Sequence, residues 1–314
     1  MKNVLVIGGN GYVGSRLRQV LAQTYAVDSV DCCWYNHDET SRRTDYHNLT
    51  VEDLAKYQVV IVLAAHAGVK PCDGDIKAPW LNNITNFIDV LGKLPKETLV
   101  IYASSASVYG NSLPGMYHSE EIKQFNPVNN YDITKYVGDL QAEIAIAQGR
   151  QVIGLRFGTV NGWSPNLRVD VMINSMYHTA LSSGKIIVSN KHIGRALLGI
   201  EDLCRAMIAC IEQPVPGIYN LASFNTTVEE IASAVAEQLN VPIVDQGNTA
   251  NAYDFGIDTT LFQQTFNFTF QESPSTIVNS LKERYAESHI ERRDNYMTYQ
   301  WEKENDFSRE RKRA

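Results

Sequence analysis

The chain has 314 residues, 44% of them hydrophobic and 20% charged, and a net charge of −7. That length can bury a substantial core in one or two domains. The negative balance argues against a nucleic-acid partner, and no apolar run approaches the roughly 20 residues that span a membrane.

Met1-Lys2-Asn3 leads directly into Val4-Leu5-Val6-Ile7, without a signal-peptide pattern. Residues 2–7 read as a buried strand closed by glycine. Residues 12–24 read as a helix with Val13, Leu17, Val20 and Leu21 on one face, and 26–31 as a second strand. The run Val59-Val60-Ile61-Val62-Leu63 marks a buried strand over 58–65. A helix is predicted over 80–91 and a strand over 98–103. The helix carrying Tyr131 and Lys135 is expected to stop at Gly149, with the next strand at 151–157. Strands alternating with helices predict an α/β fold built on a doubly wound parallel sheet with right-handed crossovers. From about Asn161 the rhythm becomes mixed: a helix over 169–182, a short strand at 186–188, a helix over 201–212, a strand at 217–221 and a helix over 227–238. The last has a capping box drawn from Thr226 or Thr227 with Glu229 or Glu230.

This divides the chain into a nucleotide-binding domain at 1–163, to which it returns around 195–222, and a smaller mixed α/β substrate-binding region at 164–284. Residues 285–314 form a charged tail, read as disordered or as a frayed helix. The alternative is a partner contact anchored by Tyr296, Tyr299 and Trp301. Cys32, Cys33, Cys72, Cys204 and Cys210 show neither metal-ligand nor disulfide spacing, and the seven histidines are scattered. A reduced cytoplasmic protein without a metal is the expectation.

Three signals carry the chemistry. Gly8-Gly9-Asn10-Gly11-Tyr12-Val13-Gly14 lies between a predicted strand and a predicted helix. There the first glycine permits the tight turn, the second lets the backbone approach a pyrophosphate, and the third allows close packing. Asp31 ends the second strand, where a carboxylate accepts hydrogen bonds from ribose hydroxyls and repels a 2′-phosphate. No Arg or Lys follows among Cys32, Cys33 and Trp34, so NAD is favoured over NADP. Asp45-Tyr46 is placed beside the adenine. Downstream, Ser104-Ser105-Ala106-Ser107-Val108-Tyr109-Gly110 precedes Tyr131-Asp132-Ile133-Thr134-Lys135. Four-residue spacing on a helix puts Tyr131 and Lys135 on one face. The ammonium there can lower the phenol from its usual value of about 10, while a nearby serine hydroxyl holds the reacting oxygen.

Together with Leu63-Ala64-Ala65, Asn83 and Leu155-Arg156-Phe157-Gly158-Thr159-Val160-Asn161-Gly162, these motifs resemble the extended short-chain dehydrogenase/reductases, in their nucleotide-sugar epimerase/dehydratase group. The resemblance spans residues 1–284 and implies a Rossmann domain that binds NAD. It implies Tyr131 as the base, Lys135 as its pKa-lowering neighbour and ribose ligand, and Ser105 as the partner of the sugar oxygen. It further implies Leu63, Ala64, Ala65 and Asn83 at the cofactor. Arg195 is implied at the substrate diphosphate, with Ser107, Thr159, Arg168 and Asn174 elsewhere around the substrate. Dehydratases of this group carry Asp-Glu where Ala106 and Ser107 stand, and neither of the latter moves protons near neutral pH. A histidine common in the group is Gly199 here, and an asparagine is Thr159. The closest activity is 4-epimerisation of a nucleotide-diphosphate sugar by a homodimer. A 4-keto-sugar reductase or dehydrogenase is the runner-up, and a non-catalytic nucleotide sensor is a third reading.

Overall fold

The computed structural model describes residues 1–36, 38–73, 76–112, 116–122, 125–249 and 253–291. Seven parallel strands form the main sheet. Their spatial order is Gly217–Leu221, Val152–Phe157, Leu99–Ser105, Val59–Val62, Asn3–Ile7, Ala26–Asp31 and Arg42–Arg43. Successive side chains of a strand point to opposite faces, and the apolar runs therefore feed two cores. Val4, Val6, Ile61, Ile101, Ile153 and Leu155 meet Leu17, Leu203, Met207 and Phe262 on one side. Leu5, Ile7, Val60, Val62 and Val100 meet Phe87, Val90, Ala142 and Ala145 on the other. All four residues of Val59–Val62 are buried, as a strand covered on both faces requires.

The helix Asn130–Ala147 ends where expected, with Gly149 at φ +81°. The helix expected over 80–91 is present and runs from Lys77–Trp80 through a π-helical turn Leu81–Thr85 into Asn86–Lys93. The wide turn carries Asn83 inward to the loop after Val59–Val62, a use to which such turns are often put.

A third core gathers the helices Met172–Ser183, Val228–Leu239 and Pro274–Arg284. The capping box of Val228–Leu239 is Thr227 with Glu230. Gly194–Gly199 runs between Thr159–Asn161 and Phe224–Thr227 in a small sheet over the C-terminal ends of the main strands. Residues 285–291, read from sequence as the start of a loose tail, are ordered. Tyr285 packs on Tyr177 with ring centroids 5.3 Å apart and hydrogen-bonds His178, and His289–Glu291 pairs with Asn166–Arg168. Apolar burial and a ladder partner outweigh the charge density that suggested disorder. Tyr296, Tyr299 and Trp301 lie outside the described residues. Among the described residues no helix is long and apolar enough to cross a membrane.

Candidate active site

The first cleft opens where the strand order reverses, beyond the ends of Asn3–Ile7, Ala26–Asp31 and Val59–Val62, the place where such sheets bind ligands. Gly8 has φ +88°, and a Cβ there would lie 2.6 Å from the Ala64 amide nitrogen. A Cβ on Gly14 would lie 2.1 Å from the Gly8 carbonyl oxygen, so the helix Tyr12–Leu21 meets the turn only through glycine. No side chain caps that helix, which leaves the first-turn amides as donors facing the cleft. Asp31 accepts from the Asn10 amide at 2.9 Å and the Cys33 amide at 2.7 Å, fixing its carboxylate at the cleft wall.

Of the residues assigned to the cofactor, all but Asp45, Asn83 and Lys135 line this cleft. Asp45 is spent on a cap, accepting from the His47 amide at 3.0 Å. Asn83 acts from behind: its side chain accepts from the His66 amide at 2.8 Å and donates to Thr134 at 3.0 Å. Lys135 lies in the adjoining cleft. Trp34, edge-on to His66 at 4.9 Å, also lines the first cleft and carried no motif in the sequence.

The second cleft shares Tyr12, Val13, Leu63, Ala65, Ala67 and Arg168 with the first, so the two are continuous. Ser105, Ser107, Tyr131, Lys135, Thr159, Arg168 and Arg195 all line it. Ser105 ends the strand Leu99–Ser105 and pairs with the Ser107 hydroxyl at 2.8 Å. Tyr131 and Lys135 sit in the first turns of Asn130–Ala147, whose cap Asn129 accepts from the Asp132 amide at 3.0 Å. The Lys135 ammonium donates to the Ala103 carbonyl at 2.7 Å and lies 5.9 Å from the Tyr131 ring centre.

The electrostatics depart from the sequence expectation. Burial pushes the Tyr131 phenol up to about 12, and the principal opposing influence is its hydrogen bond with Ser105 rather than Lys135. Burial likewise brings Lys135 down to about 8. Both groups are desolvated together, and desolvation disfavours whichever form is charged. Asn174 does not reach the cleft. It is buried, accepting from the Gly162 amide at 2.9 Å and donating to the Tyr12 hydroxyl at 3.1 Å and the Arg168 carbonyl at 2.9 Å.

Two arginines face the substrate side. Arg168 forms a bidentate pair with Asp170, both bonds 2.8 Å. Arg195 has no carboxylate within ion-pair distance among the described residues; it donates to the Gly194 carbonyl at 3.4 Å. Burial pushes its guanidinium below the ordinary value, opposed by Asp254 and Tyr253. Tyr253 and Phe255 complete the wall; they come from a segment without periodicity and were not legible in sequence. Gly199 also has a structural reason, since a Cβ there would lie 1.9 Å from a Glu272 carboxylate oxygen.

A dinucleotide cleft opening onto a Ser–Tyr–Lys constellation defines an NAD-binding α/β protein of the short-chain dehydrogenase/reductase type. The sequence matches the profile of the NAD dependent epimerase/dehydratase family over residues 4–222, and the chain belongs to that family. NAD is its cofactor. It is 26% identical over 262 residues to an ADP-L-glycero-D-manno-heptose-6-epimerase from Pseudomonas paraeruginosa, covering 74% of this chain and 77% of that one. Its fold is similar to two solved structures. One is a UDP-glucuronic acid 4-epimerase from Bacillus cereus (TM-score 0.77, 20% identity, 88% of this chain and 97% of that one). The other is a UDP-N-acetylglucosamine 4-epimerase from Methanobrevibacter ruminantium (TM-score 0.79, 20% identity, 90% and 99%).

Proposed function

We propose that the protein is an NAD-dependent nucleotide-sugar epimerase acting at C4 of the sugar. The observation that carries this reading is the gathering of Ser105, Tyr131 and Lys135 in a cleft continuous with the dinucleotide cleft. A sugar hydroxyl there hydrogen-bonds Ser105 and gives its proton to Tyr131. The Gly8–Gly14 turn and Asp31 would hold NAD, which would supply reversible hydride transfer at the carbon. The Lys135 ammonium favours the phenolate that burial alone opposes. Arg195, a half-buried cation with no ion-pair partner among the described residues, suits a diphosphate through its two-pronged donor geometry. The relatives support an isomerase, two of them named for C4 and one for C6.

The test is incubation with UDP-glucose, UDP-glucuronic acid and UDP-N-acetylglucosamine while reading reduced-nicotinamide absorbance and product stereochemistry. An epimer formed without net reduced cofactor is expected. Stoichiometric oxidation of added reduced cofactor would make the protein a reductase instead.

The assembly we propose is a homodimer. Ile133, Leu140 and Ile144 on Asn130–Ala147 are exposed together with Trp80, Leu81 and Ile88 on the neighbouring segment, an apolar surface of the kind that marks protein contacts. Sedimentation should give twice the chain mass, and Ile144→Glu should give a monomer.

A further inference from the structure

Behind the substrate cleft lies a buried carboxylate that the mechanism above does not use. Asp132 is 0% exposed. Its Oδ2 accepts from the Tyr253 hydroxyl at 2.7 Å, the Asn129 side-chain amide at 2.9 Å and the Val128 amide at 3.2 Å. Its Oδ1 is buried without a hydrogen-bond partner among the described residues. The Ser107 hydroxyl faces this carboxylate but closes its 2.8 Å bond to Ser105 instead. Ser107 and Tyr253 both line the cleft with Tyr131. One carboxylate thus stands behind two cleft-lining hydroxyls, at the position where residues 106 and 107 supply no acid of their own.

We propose that Asp132 is a second acid–base group of the site, exchanging a proton with a bound keto sugar through the hydroxyls of Tyr253 and Ser107. The proposal rests on the reading that a keto sugar occupies this cleft. The step balances without a co-reactant. The phenolic oxygen of Tyr253 takes a proton from the carbon beside the carbonyl while its own proton passes to Asp132 Oδ2. The C–H electron pair becomes the C=C bond of an enolate, and the carbonyl π pair moves to oxygen, where Ser105 and Tyr131 hold it. Ser107, which is no acid or base by itself, relays a proton in the same way once its hydroxyl turns from Ser105 to Oδ1. Return of the proton restores carboxylate and ketone, on either face of the carbon.

The surroundings suit a proton carrier. Burial raises the Asp132 carboxyl above its ordinary range, opposed by donors from Ser107, Tyr253, Val128 and Asn129. The titratable groups facing it are Tyr131 from its own helix, Tyr253 across the cleft and Cys72 from the helix Val69–Asp73. None of these is a cation, so among the described residues no ion pair pins the carboxylate in its charged form.

The test uses the NAD-bound enzyme in deuterated water, with dTDP-4-keto-6-deoxyglucose and a UDP-linked 4-keto sugar as probes. Deuterium at the carbons flanking the carbonyl is read by mass spectrometry and NMR. Hydride transfer is read separately, with reduced cofactor, by nicotinamide absorbance. Wild type should incorporate deuterium well above the enzyme-free blank. Asp132→Asn, which keeps the acceptor for Tyr253, should lower the ratio of deuterium wash-in to hydride transfer by about tenfold or more. If that variant does not fold, the pair Tyr253→Phe with Ser107→Ala must show the same drop. A merely structural role would lower both rates in step and leave the ratio unmoved, which overturns the proposal. Hydride transfer by wild type without wash-in also overturns it while leaving the epimerase reading intact. Wash-in without hydride transfer supports the proposal and sinks the epimerase reading.

Discussion

Arg195 and Asp31 show how much depends on what a charge is facing. A substrate diphosphate approaches a chain of net charge −7, so the global field opposes it and a local cation must compensate. Arg195→Ala should therefore raise KM for the nucleotide sugar at least about tenfold, and Arg195→Lys should restore only part, since the planar fork is lost. NAD affinity should barely change, because Arg195 does not line the dinucleotide cleft. A comparable loss of NAD binding, read by fluorescence titration, would place Arg195 elsewhere. For Asp31, NAD should bind at least about tenfold more tightly than NADP, and Asp31→Ala should narrow that gap in the same titration. The glycines and the Ser–Tyr–Lys set were readable because their spacing is local and tied to a turn or a helix face. The Asp132–Tyr253 pair was not, because 121 residues separate its members and nothing in either neighbourhood announces the other.

The helix Asn130–Ala147 is fixed to the sheet by a buried polar network. Arg156, on the strand Val152–Phe157, pairs with Asp139 at 2.7 Å with both side chains almost fully buried. Arg156 also donates to the Tyr109 hydroxyl at 2.7 Å, and the Tyr102 hydroxyl bonds the other Asp139 oxygen. Removing one member strands a buried charge, which typically costs about 3–5 kcal/mol. Asp139→Ala should lose stability on that order in urea unfolding. Turnover should fall too, since Tyr131 and Lys135 ride on the same helix. An Asp139→Ala protein as stable as wild type would show that the network is not what anchors this helix. The helix itself was legible, as were the Val-rich strands, because periodicity and burial act within a few residues. Gly194–Gly199 and Pro274–Arg284 escaped. The first is a short strand specified by its partners on both sides, and the second has a polar exterior that masks its buried Ile277, Val278 and Leu281.

At the scale of the molecule, the segment near Glu272 ties the C-terminal region to the main sheet. Glu272 accepts from the Glu201 amide at 2.9 Å and the Asp202 amide at 3.0 Å, closing the start of the helix Ile200–Glu212. Asp202 in turn accepts from the Ser223 hydroxyl at 2.7 Å and the Glu272 amide at 2.9 Å. Burial, reinforced by repulsion from Asp202 and Glu201 and opposed by the two amide donors, pushes Glu272 up from 4.5 to about 7. The folded state therefore holds this proton more tightly than the unfolded chain does. Its contribution to stability is complete below the unfolded value near 4.5, declines as pH rises through about 7, and is flat above. Carboxylates held below their ordinary range, Asp28 and Asp38 among them, act with the opposite sign and at lower pH, so the raw curve mixes the two. Comparison with Glu272→Gln, which keeps an acceptor for both amides but cannot titrate, isolates the first. Thermal unfolding of the pair across this range should show wild type losing stability relative to the variant as pH rises from 4.5 to about 7. A difference that stays constant across the window would mean that Glu272 is already ionised throughout, and that the junction tolerates three neighbouring carboxylates without drawing in a proton.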